Sequence, residues 1–245
     1  AYYNDEVIIP SLMSRGLTLR DARDYNIIGC VEPQKSGKTE GWHDAAFFNM
    51  CRPLELVFSN GMDKGVRIGP ATGNVEDMTT FEQFYDAYKK QMDYAIQLLV
   101  NADNAIDMAH AERCPLPFLS SMVDDCMKVG KTVQEGGAVY NFTGPQGFGV
   151  ANMADSLYSV KTLVYDEKKI TMGELKEALA TNYGKGLGAE DVAAMTAKIA
   201  NELKEAGKTI GEKEVAAILN TVVAASEAPE VKANGERILK LIEEV

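Results

Sequence analysis

The chain has 245 residues, 46% hydrophobic and 25% charged, which is enough apolar material to pack one or two domains. Its net charge of −11 argues against nucleic-acid binding, because neutralising phosphates takes clustered Lys and Arg. No apolar run approaches the ~18 residues needed to cross a bilayer and no secretory signal is present, so a soluble, cytosolic chain with no membrane partner is expected.

Residues 17 to 25 read as a short helix, followed by the apolar run Tyr25-Asn26-Ile27-Ile28 as a buried strand. Gly29 permits a tight turn, so Gly29-Cys30-Val31-Glu32-Pro33 is predicted to present Cys30 at a loop tip, with Glu32 two residues away and Pro33 stiffening the chain behind them. A sulfur and an acid/base group there reach one small substrate together. The chain has four cysteines, and Cys51, Cys114 and Cys126, lacking a neighbouring base or glycine turn, are assigned to packing. No Cys-x-x-Cys spacing occurs, which excludes a zinc ribbon or thioredoxin-like pair, and a disulfide framework is not expected without a secretory signal. Ser36-Gly37-Lys38-Thr39 imitates the end of a phosphate-binding loop, but the glycine that motif requires five positions before Gly37 is Glu32.

From Asp44 to about Ser59 the pattern suggests a largely buried helix, bent or restarted at Pro53, which would make Asp44 a helix N-cap if it is not a ligand group. Phe81, Phe84, Tyr85, Tyr88, Met92, Ala95 and Leu99 recur at three- and four-residue steps, the mark of an amphipathic helix of about 25 residues whose aromatic stripe faces a core. His110-Ala111-Glu112 has the His-x-Glu of zinc deaminases without their Pro-Cys-x-x-Cys, and two histidines in the whole chain cannot build a histidine-rich metal site. Residues 116 to 126 and 150 to 164 read as helices, and 136 to 142 as a strand with a glycine-marked start. Between the last two, Gly144-Pro145-Gln146-Gly147-Phe148-Gly149 lacks the strand–turn–helix order of a dinucleotide fingerprint and reads as a tight surface or active-site-lining loop. Gly184 to Gly188 is a glycine-rich hinge. Beyond it, helical stripes (Val192, Met195, Ile199, Leu203; Val215, Ile218, Leu219, Val222) form an insertion over 188 to 230, with a third helix from about Ala233.

The finger string, together with Glu6-Val7-Ile8-Ile9-Pro10, Gly41-Trp42-His43-Asp44-Ala45-Ala46-Phe47-Phe48-Asn49, Ala109-His110-Ala111-Glu112-Arg113, Pro115-Leu116-Pro117-Phe118, Gln134-Glu135-Gly136-Gly137-Ala138, Gly144-Pro145-Gln146-Gly147 and Ala151-Asn152-Met153-Ala154-Asp155-Ser156-Leu157, resembles the glycyl radical enzymes of the pyruvate formate-lyase type, in order, to about residue 184. The likeness is strongest to their coenzyme-B12-independent propane-1,2-diol and glycerol dehydratases. It implies an α/β fold: residues 1–184 as part of a ten-stranded barrel surrounded by helices and carrying the cysteine finger, and 185–245 as helical insertion and return segment. It implies Cys30 as the thiyl radical site and Glu32 as general base, with Asp44 and His43 binding the substrate, no metal, and no directly bound cofactor.

In that family the radical is stored on a glycine in an Arg-Val-x-Gly-Tyr loop and installed by a radical S-adenosylmethionine activating enzyme. The loop does not occur in this sequence, so the chain is expected to be an internal piece of a larger polypeptide, inactive alone. The implied whole enzyme is a homodimer, cytoplasmic, free or within a bacterial microcompartment. His43-Asp44 disfavours choline, because choline lyases of the family carry Thr in place of His43. Isethionate or another hydroxysulfonate remains open as an alternative substrate with carbon–sulfur cleavage, and a non-catalytic spare-part module is the alternative of a different class.

Overall fold

The computed structural model describes residues 3 to 183 and 229 to 244. Two compact units divide the chain: residues 1–53 with 92–150, and 54–91 with 151–245.

The first unit opens with α1 (Asp5–Ser14), capped by Asn4, whose side chain accepts the Glu6 N–H. Thr18 caps the short helix α2 (Leu19–Arg23), so the predicted helix starts two residues late and Leu17 is freed to pack with Leu12 and Ala22 in a small core. Strands β1 (Asn26–Ile28) and β2 (Glu32–Gln34) pair antiparallel, Ile28 opposite Glu32, and close the finger as a hairpin with Gly29, Cys30 and Val31 at its tip. Pro33 is tolerated in β2 because, among the described residues, this sheet has two strands and β2 is at its edge.

Two parallel pairs carry the rest of the site. β3 (Thr39–Trp42) runs beside β7 (Tyr140–Thr143), and β4 (Phe47–Asn49) beside β8 (Gln146–Phe148). Trp42 pairs with Thr143 and Phe47 with Gln146, so four residues, His43 to Ala46, stand opposite only Gly144 and Pro145. The surplus must bulge, and the hydrogen bonds Gly144 N to Trp42 O and Gln146 N to Ala46 O, both 2.7 Å, pin its two ends. β4 corrects the helix expected over 44 to 59: pairing with β8 takes Phe47 to Asn49 into a strand, and helix α3 (Arg52–Phe58) starts only where Pro53 can occupy the first turn without a missing donor. Asp44 is therefore in a turn and is not a helix cap.

Helix α4 (Phe81–Arg113) is 33 residues long, exceeding the expected 25, and its second half belongs to this unit. The helix expected over 116 to 126 is instead two single turns, α5 (Pro117–Ser120) and α6 (Cys126–Val129), separated where Asp125 adopts a left-handed φ of 74°. Cys126 is buried beside Val133 and Ala138, as its packing assignment requires, whereas Cys114 is exposed and overturns the same assignment there.

The second unit contains the hairpin β5 (Met62–Asp63) and β6 (Val66–Arg67), the first half of α4, α7 (Val150–Val160) continued by a wider turn over Lys161–Asp166, α8 (Met172–Ala180), and α9 (Pro229–Glu243). Phe84 is wholly buried, with Phe58 at 5.5 Å and Tyr165 at 6.4 Å, so this part of the aromatic stripe is core as expected. The Gln91 amide is buried too, donating to Pro70 O at 2.8 Å and Thr72 Oγ1 at 3.3 Å. A reciprocal Thr171–Glu174 cap starts α8, and Arg237 of α9 reaches Glu174 at 2.8 Å. The helix expected near Ala233 begins four residues earlier, at Pro229. The glycine hinge and the two insertion stripes lie outside the described residues.

Candidate active site

The finger hairpin turns on Gly29. Its φ is +58°, and a Cβ there would lie 2.7 Å from Glu32 Oε2, so both the turn and the approach of the carboxylate exclude a side chain. Glu32 folds back over the tip: Oε2 accepts the N–H of Cys30 and of Val31, each at 3.0 Å. These amides, Val31 foremost, hold the Glu32 carboxyl below its usual range although the residue is buried. The Glu32 carboxyl is thus ionised at neutral pH. Cys30 is exposed at the tip, its backbone fixed by the carboxylate two residues on.

His43 and Asp44 occupy the bulge between β3 and β4. The His43 ring lies across Gly41, where a Cβ would fall 2.1 Å from Nε2. Nε2 is buried without a hydrogen-bond partner among the described residues, and desolvation pulls the imidazole pKa down despite the opposing pull of Glu32 and Asp44. His43 is therefore a neutral imidazole with one nitrogen unspent. Asp44 is exposed and accepts a hydrogen bond from Gln146 Nε2. The same Nε2 donates to Glu32 Oε1 at 2.9 Å. Cys30, Glu32, His43 and Asp44 are thus gathered at one place. Gln146, the residue that joins two of them, is legible in the sequence only within a string that reads as a tight surface or active-site-lining loop.

A second polar group stands along β3. Glu40 is pushed up to about 7, first by burial and then by the charge of Asp107, against a hydrogen bond from Trp42. The Trp42 and His110 rings sit 4.1 Å apart, and His110 Nδ1 is buried and unpaired among the described residues. His110 therefore packs on Trp42. Among the described residues no three His, Cys, Asp or Glu side chains converge to hold a metal. Lys38 of the false phosphate loop is spent on buried Asp21, at 2.9 Å.

A model of the pyruvate formate lyase-like (PFL-like) family matches residues 1–221, nine tenths of the chain. The chain belongs to that family. Similar solved structures are a protein of 1,2-propanediol dehydration from Roseburia inulinivorans, 59% identical over 100% of this chain and 29% of that one with a TM-score of 0.91, and the B12-independent glycerol dehydratase of Clostridium butyricum in its glycerol-bound form. The latter is 61% identical over 80% of this chain and 25% of its own, with a TM-score of 0.74. Among curated proteins, the (2S)-3-sulfopropanediol dehydratase of Klebsiella oxytoca is 39% identical over 183 residues, 74% of this chain. The pyruvate formate lyase-like relatives are much longer: the chain spans only 22% of that dehydratase. No helix among the described residues is long and apolar enough to cross a membrane.

Proposed function

We propose that this chain supplies the cysteine finger and part of the substrate grip of a glycyl radical dehydratase that converts a small vicinal diol, propane-1,2-diol or glycerol, to an aldehyde and water. One observation carries the reading: Cys30 stands at the three-residue tip of the hairpin whose second strand starts at Glu32, Glu32 accepts the Cys30 N–H, and Glu32 is tied through Gln146 to Asp44. The whole enzyme would be a ten-stranded barrel wrapped by helices, a cytoplasmic homodimer, with residues 185–245 as insertion and return segment. A glycyl radical outside this chain, installed by a radical S-adenosylmethionine activating enzyme, supplies the oxidising equivalent at Cys30.

Cys30 sulfur takes a hydrogen atom from C1 of the bound diol and becomes S–H. Glu32, ionised and within reach of the same carbon because it shares the finger, accepts the proton of the C1 hydroxyl. The electron-rich C1 then expels the C2 hydroxyl, which leaves as water with the proton Glu32 had taken up. Cys30 S–H returns its hydrogen atom to C2, so the radical is recovered and the net change is diol to aldehyde plus water. Asp44 accepts hydrogen bonds from the paired hydroxyls, and the unspent Nε2 of neutral His43 offers a second polar contact.

The test is an anaerobic assay of the activated full-length enzyme against propane-1,2-diol, glycerol, choline and isethionate, following aldehyde, trimethylamine and sulfite. Aldehyde from a diol is expected. Sulfite from isethionate with neither diol consumed would replace the substrate class and leave Cys30 and Glu32 standing, because carbon–sulfur cleavage uses the same finger. Turnover by Cys30→Ala would remove the finger chemistry altogether.

A further inference from the structure

Glu32 and Asp44 bring two carboxylates to one small site from different segments, the finger hairpin and the bulge, and unscreened like charges there would drive each other apart. What lies between them is the side-chain amide of Gln146, at the start of β8. Ionised carboxylates only accept hydrogen bonds, so the amide must turn its nitrogen towards them, and its two hydrogens match two acceptors. We infer that Gln146 is a positioning residue that divides its two amide hydrogens between Glu32 and Asp44 and so fixes the base of the finger against the carboxylate that grips the substrate; the inference rests on the roles given to those two residues above.

The backbone is arranged for this. Gln146 pairs with Phe47 and donates its N–H to Ala46 O at 2.7 Å, which sets its side chain at the end of the same bulge that presents Asp44. Glu32 then has both oxygens engaged, Oε2 by the Cys30 and Val31 amides and Oε1 by Gln146, so its carboxylate cannot rotate away from the sulfur. No other side chain of this length does the same. Glutamate would add a third negative charge, lysine would neutralise the base, and asparagine is one methylene too short to serve both acceptors.

The experiment uses the full-length enzyme with Gln146→Met, which keeps length without donors, Gln146→Asn, and Glu32→Gln as control. With radical content measured by electron paramagnetic resonance, Gln146→Met is expected to lose at least ~10-fold in kcat per radical and to raise KM severalfold, with Gln146→Asn losing less. Radical content should be unchanged. Unaltered kcat per radical and KM would overturn the inference even if stability fell, since a merely structural glutamine would affect only the latter. Full turnover by Glu32→Gln would instead remove the base role beneath it. In that case the crystal structure of unactivated Gln146→Met decides: carboxylates of Glu32 and Asp44 that part sustain the positioning role, and carboxylates that stay in place refute it.

Discussion

At the scale of single residues, the site is held by contacts that tolerate no extra atoms. Gly29→Ala forces a Cβ against Glu32 Oε2 in a backbone conformation costing L-residues about 1–2 kcal/mol, so turnover should collapse while the melting temperature moves little. Gly41→Ala displaces the His43 ring, and KM for the diol should rise more than kcat falls. Steady-state kinetics on both variants checks this, and a Gly41→Ala enzyme with unchanged KM would exclude His43 from substrate binding. Glu32→Gln keeps the volume and removes the proposed base: a loss of ~100-fold or more in turnover with unchanged glycyl radical signal is expected. With Asp44 in its proposed role, Asp44→Ala leaves the substrate hydroxyls unpaired at roughly 1–3 kcal/mol each, whereas Asp44→Asn only weakens a charge-assisted bond, so the Ala variant should be the worse binder.

Among the elements, α2, the residue leading into β3, and β7 are tied by one buried carboxylate. Asp21 receives Lys38 Nζ at 2.9 Å and the Tyr140 hydroxyl at 2.7 Å, and these bonds, Lys38 first, lower its pKa to about 2 from 3.8. Its contribution to stability is present above 3.8 and lost as pH falls through about 2. Glu40 on β3 runs the other way. Raised by burial to about 7 from 4.5, it favours the folded state fully below 4.5, and that contribution is lost as pH rises through about 7. Melting curves of the full-length enzyme between about pH 5 and pH 8 should therefore flatten in Glu40→Gln. Asp21→Asn should lower the melting temperature at neutral pH and leave it nearly unchanged near pH 2. A Glu40→Gln curve that keeps the parent slope would mean that Glu40 is solvated in the whole enzyme.

For the whole chain, large apolar side chains remain uncovered in the first unit, with Phe118 at 79%, Met127 at 76% and Phe47 at 69% exposure. Its parallel pairs are two strands wide among the described residues, leaving backbone donors and acceptors free at their edges. Expressed alone, the chain should associate and unfold over a broad range, as read by light scattering and calorimetry. A monodisperse monomer with a sharp two-state melt would favour the stand-alone module over a part of a longer enzyme.

The sequence by itself determined the features that depend on neighbours along the chain: the glycine turn that exposes Cys30, the Cys30–Glu32 spacing, the aromatic face of α4 around Phe84, and the family, carried by ordered strings. It also identified Asp44 as a candidate ligand. What it could not decide was set by pairing between segments about a hundred residues apart. The β4–β8 ladder turned an apparent helix into a strand, moved Asp44 from a cap to a bulge, and brought Gln146 between two carboxylates. Apolar periodicity near Phe47 was compatible with helix or strand, and only the partner strand, invisible to any local window, supplies the hydrogen bonds that choose.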